Sequence, residues 1–403
     1  MAATTVILGG GIIGSSIAYH LSLRGASSIV IESQSQAATA ASGKAAGFLA
    51  PSWGDGRVTE RLHRDSFAMH RKLAETFELE SFRGLPALRV DAESRKTTPR
   101  RAVSPRWLDG KSCDAEMLDE ESAQVDPREL SAAFLSAAQA SGHCDLRTGK
   151  ECVGILTEAS GAGPSGRVAT GVMLVDGEEL ACDQLVVALG PWSCLVEDWL
   201  GVPLPVEGVW STSILYGAES AAADALAAEP RALFCAEDGR GCHLEVYPRA
   251  DGEVYVAGCG GARVVTPQAI RSGELPPSAT NVPDQSRVHA AERSLTELSS
   301  AFDGATSTRQ QACVRPVAPD GLPIIGPLPG MGNTYVATGH GPWGICWAPI
   351  TGLAMSELLL DEGQSASLNL RAFAPRRFDS LTYRTLMKQR GRQKGGESVG
   401  EQW

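Results

Sequence analysis

A glycine cluster between two short apolar runs near the start of the chain constrains the fold more than any other feature. Residues 4–33 read TTVILGGGIIGSSIAYHLSLRGASSIVIES. The apolar run at residues 6–8 predicts a strand, residues 12–23 predict a helix that Gly25 ends, and residues 29–31 predict a second strand. A strand, a helix and a second strand in this order form a βαβ unit, so the chain is expected to build an α/β fold around a parallel sheet.

The glycines have the spacing G-x-G-x-x-G, and an acidic residue ends the second strand. Gly9 permits a tight turn, Gly11 lets a pyrophosphate approach the backbone, and Gly14 lets the helix pack closely on the sheet. The helix N-terminus attracts phosphate, and Glu32 is placed to accept hydrogen bonds from ribose hydroxyls. These features predict FAD or NAD rather than NADP, and they disfavour a glycine-rich turn without a ligand. Ile12, Ile13 and Ser33 complete this predicted contact set.

The following segment favours FAD over NAD. Residues 37–56 read AATAASGKAAGFLAPSWGDG, whereas a nicotinamide enzyme usually continues with another helix and strand. Small residues allow backbone amides to touch a flat ring, and Lys44 offers a cation near the phosphates or the flavin pyrimidine. An alanine-rich linker without a ligand is the alternative interpretation. The contacts predicted here are Ser42, Gly43, Lys44, Ala46 and Gly47.

Two further stretches complete a family resemblance. They are CDQLVVALGPWSCLV at residues 182–196, and CVRPVAPDGLPIIGPLPG followed by TYVATGHGPWGICWAPITGLAMSELLLDEG within residues 313–363. With the two N-terminal motifs, they resemble the D-amino-acid oxidase superfamily of flavoproteins, which includes glycine oxidase and sarcosine oxidase. The resemblance covers nearly the whole chain. It implies FAD contacts at Val153, Ala188, Gly190, Trp192, Gly339, His340, Gly341, Trp343, Gly344 and Ile345.

The resemblance also implies residues for the substrate. Arg315 matches the arginine that grips the substrate carboxylate in the oxidases, and the alternative is a structural arginine paired with Asp320. Cys313 has the spacing of a cysteine that carries covalent flavin in the sarcosine oxidase branch. The Arg315–Pro316 pair belongs to the non-covalent oxidases, so we expect a buried thiol near the flavin instead. Tyr216 and Tyr247 either orient the substrate or pack in the core.

The activity that the resemblance implies is oxidation of the C–N bond of a small amine or amino acid by hydride transfer to flavin. Oxygen is the expected acceptor, which gives hydrogen peroxide. Two alternatives remain open: a dehydrogenase that uses another electron acceptor, and a flavin-binding protein with mainly an interaction role. The sequence leaves the substrate and the oligomeric state undetermined.

The motifs predict a discontinuous arrangement of two domains. Residues 1–55, 130–205 and 313–375 are expected to form a Rossmann-type FAD-binding domain. Residues 56–129 and 206–312 are expected to form an α+β substrate domain with a mixed, largely antiparallel sheet, in which residues 266–286 form a loop. The basic residues 376–403 are predicted to be a flexible tail.

Charge and cysteine content narrow the function classes. The net charge of −11 disfavours binding to nucleic acid or to an anionic membrane surface. The ten cysteines form no C-x-x-C pair, so neither a zinc site nor a disulfide scaffold is expected, and reduced thiols indicate the cytoplasm. No run of eighteen apolar residues occurs, so we expect no transmembrane segment.

Overall fold

The computed structural model describes residues 3–91, 103–110, 113–160, 166–275 and 282–379. Within these ranges the strands, in chain order, are β1 Thr4–Leu8, β2 Ser27–Glu32, β3 Phe48–Leu49, β4 Arg83–Gly84, β5 Ala87–Asp91, β6 Asp114–Asp119, β7 Ala123–Gln124, β8 Cys144–Thr148, β9 Cys152–Ala159, β10 Arg167–Leu174, β11 Glu179–Ala181, β12 Gln184–Val187, β13 Glu207–Tyr216, β14 Ala232–Cys235, β15 Glu245–Pro248, β16 Val254–Ala257, β17 Arg263–Val265, β18 Arg309–Val317, β19 Ile324–Pro327 and β20 Thr334–Thr338. The helices are α1 Ile12–Ser22, α2 Glu60–Phe77, α3 Pro127–Ala140, α4 Val196–Leu200, α5 Ala221–Ala228, α6 Pro267–Arg271, α7 Gln285–Leu298 and α8 Gly344–Leu360.

The first sheet has the order β19-β20-β12-β1-β2-β8. Strand β1 lies at its centre, parallel to both β2 and β12. Strand β20 extends the parallel arrangement beside β12, while β19 is antiparallel at the edge. The βαβ unit predicted from the glycine cluster is therefore present, and distant parts of the chain supply its neighbouring strands.

Helices α1, α2, α3 and α8 cover one face of this sheet and share a large apolar core. Helices α1 and α8 pack closely against each other at Gly352. A Cβ added at Gly352 would lie only 2.2 Å from Ser16 Oγ, so this contact requires glycine. Residues Gly341–Leu360 are long and apolar enough to cross a membrane, but 72% of that window is buried inside the protein. This burial is typical of a core helix.

The second sheet contains β17, β13, β16, β15, β14, β5 and β6, with β18 paired to the other side of β13. The expected sheet in residues 206–312 is therefore present, but two predicted domain boundaries do not match its edges. The boundary at residue 313 divides β18, so Arg315 lies on the second sheet. Helix α2, which was predicted to be in the substrate domain, packs in the core of the first sheet.

Two predicted irregular segments contain ordered structure. Within residues 266–286, α6 packs Ile270 against Trp192, and the Trp192 indole N–H donates to the Leu275 carbonyl at 2.9 Å. The prediction of a loop is therefore wrong at α6. The beginning of the predicted tail is packed too, since Phe378 is buried and Arg377 pairs with Asp320. Residues 276–281 and 380–403 of these two predictions lie outside the described residues.

Candidate functional site

The glycine turn between β1 and α1 has the geometry that its sequence predicts. Gly9 has φ +103°, and a Cβ there would lie 2.4 Å from the Ala188 carbonyl oxygen. A Cβ at Gly14 would lie 2.0 Å from the Gly9 carbonyl oxygen. Both positions therefore require glycine. Gly9 needs it for its positive φ and its close approach to Ala188, and Gly14 needs it because helix α1 packs directly on the turn.

Side chains from two other segments hold this turn in place. The Glu32 carboxylate accepts the Gly10 N–H at 3.0 Å and the Gln34 N–H at 2.9 Å. The Ser42 hydroxyl accepts the Ile12 N–H at 3.0 Å, which caps the first turn of α1 from a distant segment. Both residues also face the cavity described next, so each combines a structural contact with access to a ligand.

One cavity joins the glycine turn to the second sheet. It encloses about 2010 Å³ of empty space, part of it open solvent at the mouth. Segments from both ends of the chain line it, which the four separated motifs predict. The predicted residues that line it are Gly9, Gly11, Ile12, Ile13, Glu32, Ser33, Ser42, Lys44, Ala46, Gly47, Ala188, Gly190, Trp192, His340, Gly341, Trp343, Gly344, Ile345 and Arg315.

The remaining predicted residues stand behind or outside this lining. Gly14 supports the turn, and Gly43 and Gly339 lie next to lining residues. The structure does not bring the Val153 side chain into the cavity: it is 42% exposed, and its neighbour Cys152 takes the lining position. Successive side chains of β9 point to opposite faces of its sheet. The sequence prediction was one residue off, and it therefore named Val153 instead of Cys152 as the lining residue.

The lining fits a dinucleotide with a flat ring. Gly190 and Gly341 have φ of +57° and +56°, and a Cβ at either would meet nothing within 4 Å. Side chains at these two points would project into open space beside the cavity, so glycine leaves room there for a ligand. Together with the glycine turn and Glu32, these residues match what FAD needs for its pyrophosphate, ribose and ring.

The C-terminal helix begins at the cavity. Helix α8 starts at Gly344, so its N-terminal N–H groups lie at the lining residues Gly344 and Ile345. The preceding His340 is buried, and burial lowers its pKa to about 3. Its Nε2 contacts the Thr351 hydroxyl at 3.2 Å, while Nδ1 has no hydrogen-bond partner. His340 is therefore a neutral ring at the end of a helix that favours negative charge.

Arg315 is a cation in this cavity without a carboxylate partner. Its predicted alternative partner, Asp320, is instead bound by Arg377 at 2.7 Å. Within the described ranges no carboxylate lies within 4.0 Å of Arg315, and its buried Nε has no hydrogen-bond partner. Arg315 is half-buried, and a guanidinium that lines a cavity without a carboxylate partner can bind the carboxylate of a ligand.

Lys44 and Cys313 lie together on the cavity wall. The Lys44 ammonium donates to the Ala312 carbonyl at 3.0 Å, and burial lowers its pKa. The buried Cys313 thiol is 3.9 Å from the Ser211 hydroxyl. A thiol facing the cavity agrees with the position expected from the sequence. Whether it carries flavin covalently stays a prediction, and we expect that it does not.

The sequence alone did not identify several lining residues of the second sheet. Glu245 lines the cavity and accepts the Tyr247 hydroxyl at 2.6 Å. Tyr255 donates its hydroxyl to the Lys44 carbonyl at 2.9 Å. Tyr216 is instead buried in the apolar core against Phe302. Other lining residues without a recognisable sequence signal are Phe48, Trp199, Ser211, Ser213, Phe234 and His243.

The alternation His243, Glu245, Tyr247 is a signal that could have found Glu245, because these positions share one face of a strand. Of these three residues, the sequence motifs indicated only Tyr247. Metal chemistry has no evident site here: among the residues that the structure describes, no three or more His, Cys, Asp or Glu side chains could hold an ion.

Comparison with known proteins agrees with this geometry. A family model described as FAD dependent oxidoreductase, DAO, matches residues 4–358. The chain is 30% identical to glycine oxidase from Pseudomonas putida over 48% of this chain and 46% of that protein. It is 26% identical to a putative oxidoreductase of Schizosaccharomyces pombe over 92% of this chain and 97% of that protein.

A solved structure shares the fold. Glycine oxidase from Geobacillus kaustophilus superposes with a TM-score of 0.74 at 20% identity, over 93% of this chain and 98% of that one. The sequence match to the Pseudomonas putida enzyme spans less than half of that relative's length. The family model, by contrast, spans both sheets and the helix that starts at Gly344.

Proposed function

This chain belongs to the FAD-dependent oxidoreductase family, and from that premise we propose that it oxidises the C–N bond of a small amino acid or amine. Bound FAD would supply the hydride acceptor. We propose molecular oxygen as the final acceptor and hydrogen peroxide as the product, in keeping with the relatives named glycine oxidase. The free cysteines of the described chain support a cytoplasmic location as part of this proposal.

The observation that carries the proposal is the unpaired Arg315 in the cavity that the glycine turn also lines. A planar guanidinium binds a carboxylate through two parallel hydrogen bonds and fixes its orientation. An amino acid held in this way has a restricted position, so its Cα–H can be aligned with the hydride acceptor. Alignment in a closed site is a large part of what such chemistry requires from the protein.

Aromatic side chains form one wall of the cavity. Phe48, Phe234 and Tyr247 pack edge to face or tilted, with ring centroids 5.1 to 5.7 Å apart. Burial raises the pKa of Tyr247 well above its ordinary value, so the hydroxyl stays protonated at neutral pH. This wall provides an apolar surface against which a neutral amine can be aligned for loss of hydride.

The proposal is tested with the purified holoenzyme and amino acids under anaerobic conditions. We expect bleaching of the flavin absorption by at least one D- or L-amino acid, glycine or sarcosine, and peroxide on aeration. Bleaching with slow re-oxidation by oxygen would favour a dehydrogenase with another acceptor. No bleaching by any compound of the panel would contradict the proposal.

Substitution of the arginine provides the second arm of this test. We expect Arg315→Lys to lower kcat/KM by about 10- to 100-fold, mainly through KM, because lysine cannot form the paired hydrogen bonds. Arg309→Lys is the matched control on the same strand, since Arg309 pairs with Glu253 at 3.1 Å and does not line the cavity. Equal effects of the two substitutions would refute the role of Arg315.

A further inference from the structure

One segment of the chain leaves the second sheet and packs on a part of the first domain. Residues 263–275, which we call the strap, begin as β17 beside β13 and continue through α6. Helix α6 contacts the short helical turn Gly190–Leu195, which follows β12 of the first sheet. The strap therefore connects the two sheets outside their strand pairing.

The turn that the strap covers is also part of the wall of the FAD cavity. Leu189, Gly190, Trp192 and Leu195 all line that cavity. The Trp192 side chain also contacts the strap, because its indole N–H donates to the Leu275 carbonyl at 2.9 Å. The strap is therefore a second layer directly behind this wall.

A small apolar cluster fills the space between the strap and the wall. Ile270 and Leu275 of the strap are buried in it together with Trp192, Cys194 and Val314. Neither Ile270 nor Leu275 lines the cavity, so both support Trp192 from behind without touching a ligand. Small clusters of this kind typically lie under long connections and are separate from the main cores.

Ion pairs attach the strap to α4. Arg271 Nη1 lies 3.0 Å from Glu197 Oε1, and Arg271 Nε donates to Asp198 Oδ1 at 2.9 Å. The next residue of α4, Trp199, lines the cavity. The three charged side chains are between 29% and 41% exposed, so water and salt weaken their attraction. This attachment therefore opens more readily than a contact in a buried core.

We propose that the strap is a clamp that retains FAD, and that its detachment from α4 and Trp192 lets the cofactor leave the cavity. The wall that FAD contacts is the wall that the strap supports, so the bound cofactor and the attached strap stabilise each other. By linkage, detachment of the strap weakens FAD binding, and bound FAD disfavours detachment by the same factor. The inference concerns the cofactor and is independent of the substrate.

The first experiment measures release of FAD from the purified holoenzyme, by the rise in flavin fluorescence after dilution. We expect Arg271→Gln to release FAD about 3- to 10-fold faster at low salt, the range for two partly exposed ion pairs. Added salt should speed release from the natural protein and bring the two rates together. Arg240→Gln is the matched control, because Arg240 pairs with Glu297 in a similarly exposed position and does not line the cavity.

A second variant acts on the apolar part of the clamp. Ile270→Ala removes support for Trp192 and changes no lining residue, so we expect FAD release at least about 10-fold faster. Leu298→Ala is the matched control, since Leu298 is equally buried in the core of the second sheet and does not line the cavity. It should change the release rate by less than about 2-fold, and urea denaturation establishes that both variants are folded.

Hydrogen exchange tests the reciprocal effect of FAD on the strap. The N–H groups of Ile270 and Ser272 donate to the Thr266 and Gln268 carbonyls within α6. Bound FAD should slow their exchange more than it slows exchange in α5, none of whose residues lines the cavity. Helix α5 thus reports the general stabilisation of the fold by the cofactor.

The clamp is overturned if Arg271→Gln releases FAD no faster than the natural protein. It is also overturned if Arg240→Gln speeds release equally, because the effect is then a general loss of stability. Equal slowing of exchange in α6 and α5 would likewise contradict it. None of these measurements requires oxidation of a substrate, so they leave the proposed function to its own test.

Discussion

Gly9 and Gly25 both have backbone angles that favour glycine, yet their surroundings differ. Gly9 has φ +103°, and a Cβ there would collide with the Ala188 carbonyl, whereas Gly25 has φ +68° with nothing within 4 Å. At Gly25 only the conformational cost applies. At Gly9 the two neighbouring strands β1 and β12 would have to separate, and this movement would also disturb the FAD site.

At the residue scale we therefore expect Gly9→Ala to lower the free energy of unfolding by more than about 3 kcal/mol and to weaken FAD binding. Gly25→Ala, the matched control, should cost about 1 kcal/mol and retain full flavin content. Urea denaturation and the flavin-to-protein absorption ratio measure both effects. Similar losses in the two variants would show that the close approach to Ala188 does not matter.

At the element scale, a side chain of α2 supplies a hydrogen-bond donor that the backbone of α8 lacks. Pro349 lies inside α8 and has no N–H, so the Ile345 carbonyl loses its helical donor. His70 Nε2 lies 3.1 Å from both the Ile345 and Cys346 carbonyls and must therefore carry the hydrogen. Ser66, one turn earlier on α2, accepts the Ile350 N–H at 3.3 Å. This arrangement fixes the helix N-terminus that faces the cavity.

Removal of this donor should weaken the protein. We expect His70→Phe to lower the free energy of unfolding by about 1–3 kcal/mol, because the buried carbonyl at Ile345 loses a partner. His289→Phe replaces an exposed histidine of α7 and should change stability by less than about 0.5 kcal/mol. Urea denaturation compares the two variants. Equal stability of both would argue against a stabilising hydrogen bond from His70 to the Ile345 carbonyl.

At the scale of the whole molecule, buried neutral histidines make stability sensitive to acid. Burial lowers the pKa of His20 and of His70 to about 4, and that of His340 to about 3. The unfolded chain takes up these protons near the ordinary pKa of 6.5, and the folded protein does so only at lower pH. The stabilisation is therefore complete above pH 6.5 and is lost progressively as pH falls toward 4.

We expect each of these histidines to lower the free energy of unfolding by about 2 kcal/mol when the pH falls from 6.5 to 5.0. The midpoint of urea unfolding should therefore fall markedly between pH 7.5 and pH 5.0. His70→Phe should show a smaller fall than the natural protein, because one of the protonated groups is gone. A midpoint independent of pH over this range would contradict the assignment of neutral buried rings.

Several features followed from the sequence because they depend on local backbone rules. The βαβ unit was predictable since glycine spacing, helix period and strand length act over about thirty residues. The start of α3 was predictable from Asp126 and Pro127, and the Asp126 side chain does accept the N–H groups of Arg128 and Glu129. The FAD-dependent family was recognisable because its motifs are short and contiguous.

Other features were decided only when strands paired across the chain. Arg315 lies on the second sheet because β18 pairs with β13, and its possible partner Asp320 is taken by Arg377. Glu245 enters the cavity because β15 turns that face inward, whereas Val153 points away from the cavity on β9. The sequence by itself determined the cofactor turn and the fold class, since both follow from local conformation. The tertiary structure decided which charges face the substrate, because that depends on strand register and on contacts between distant segments.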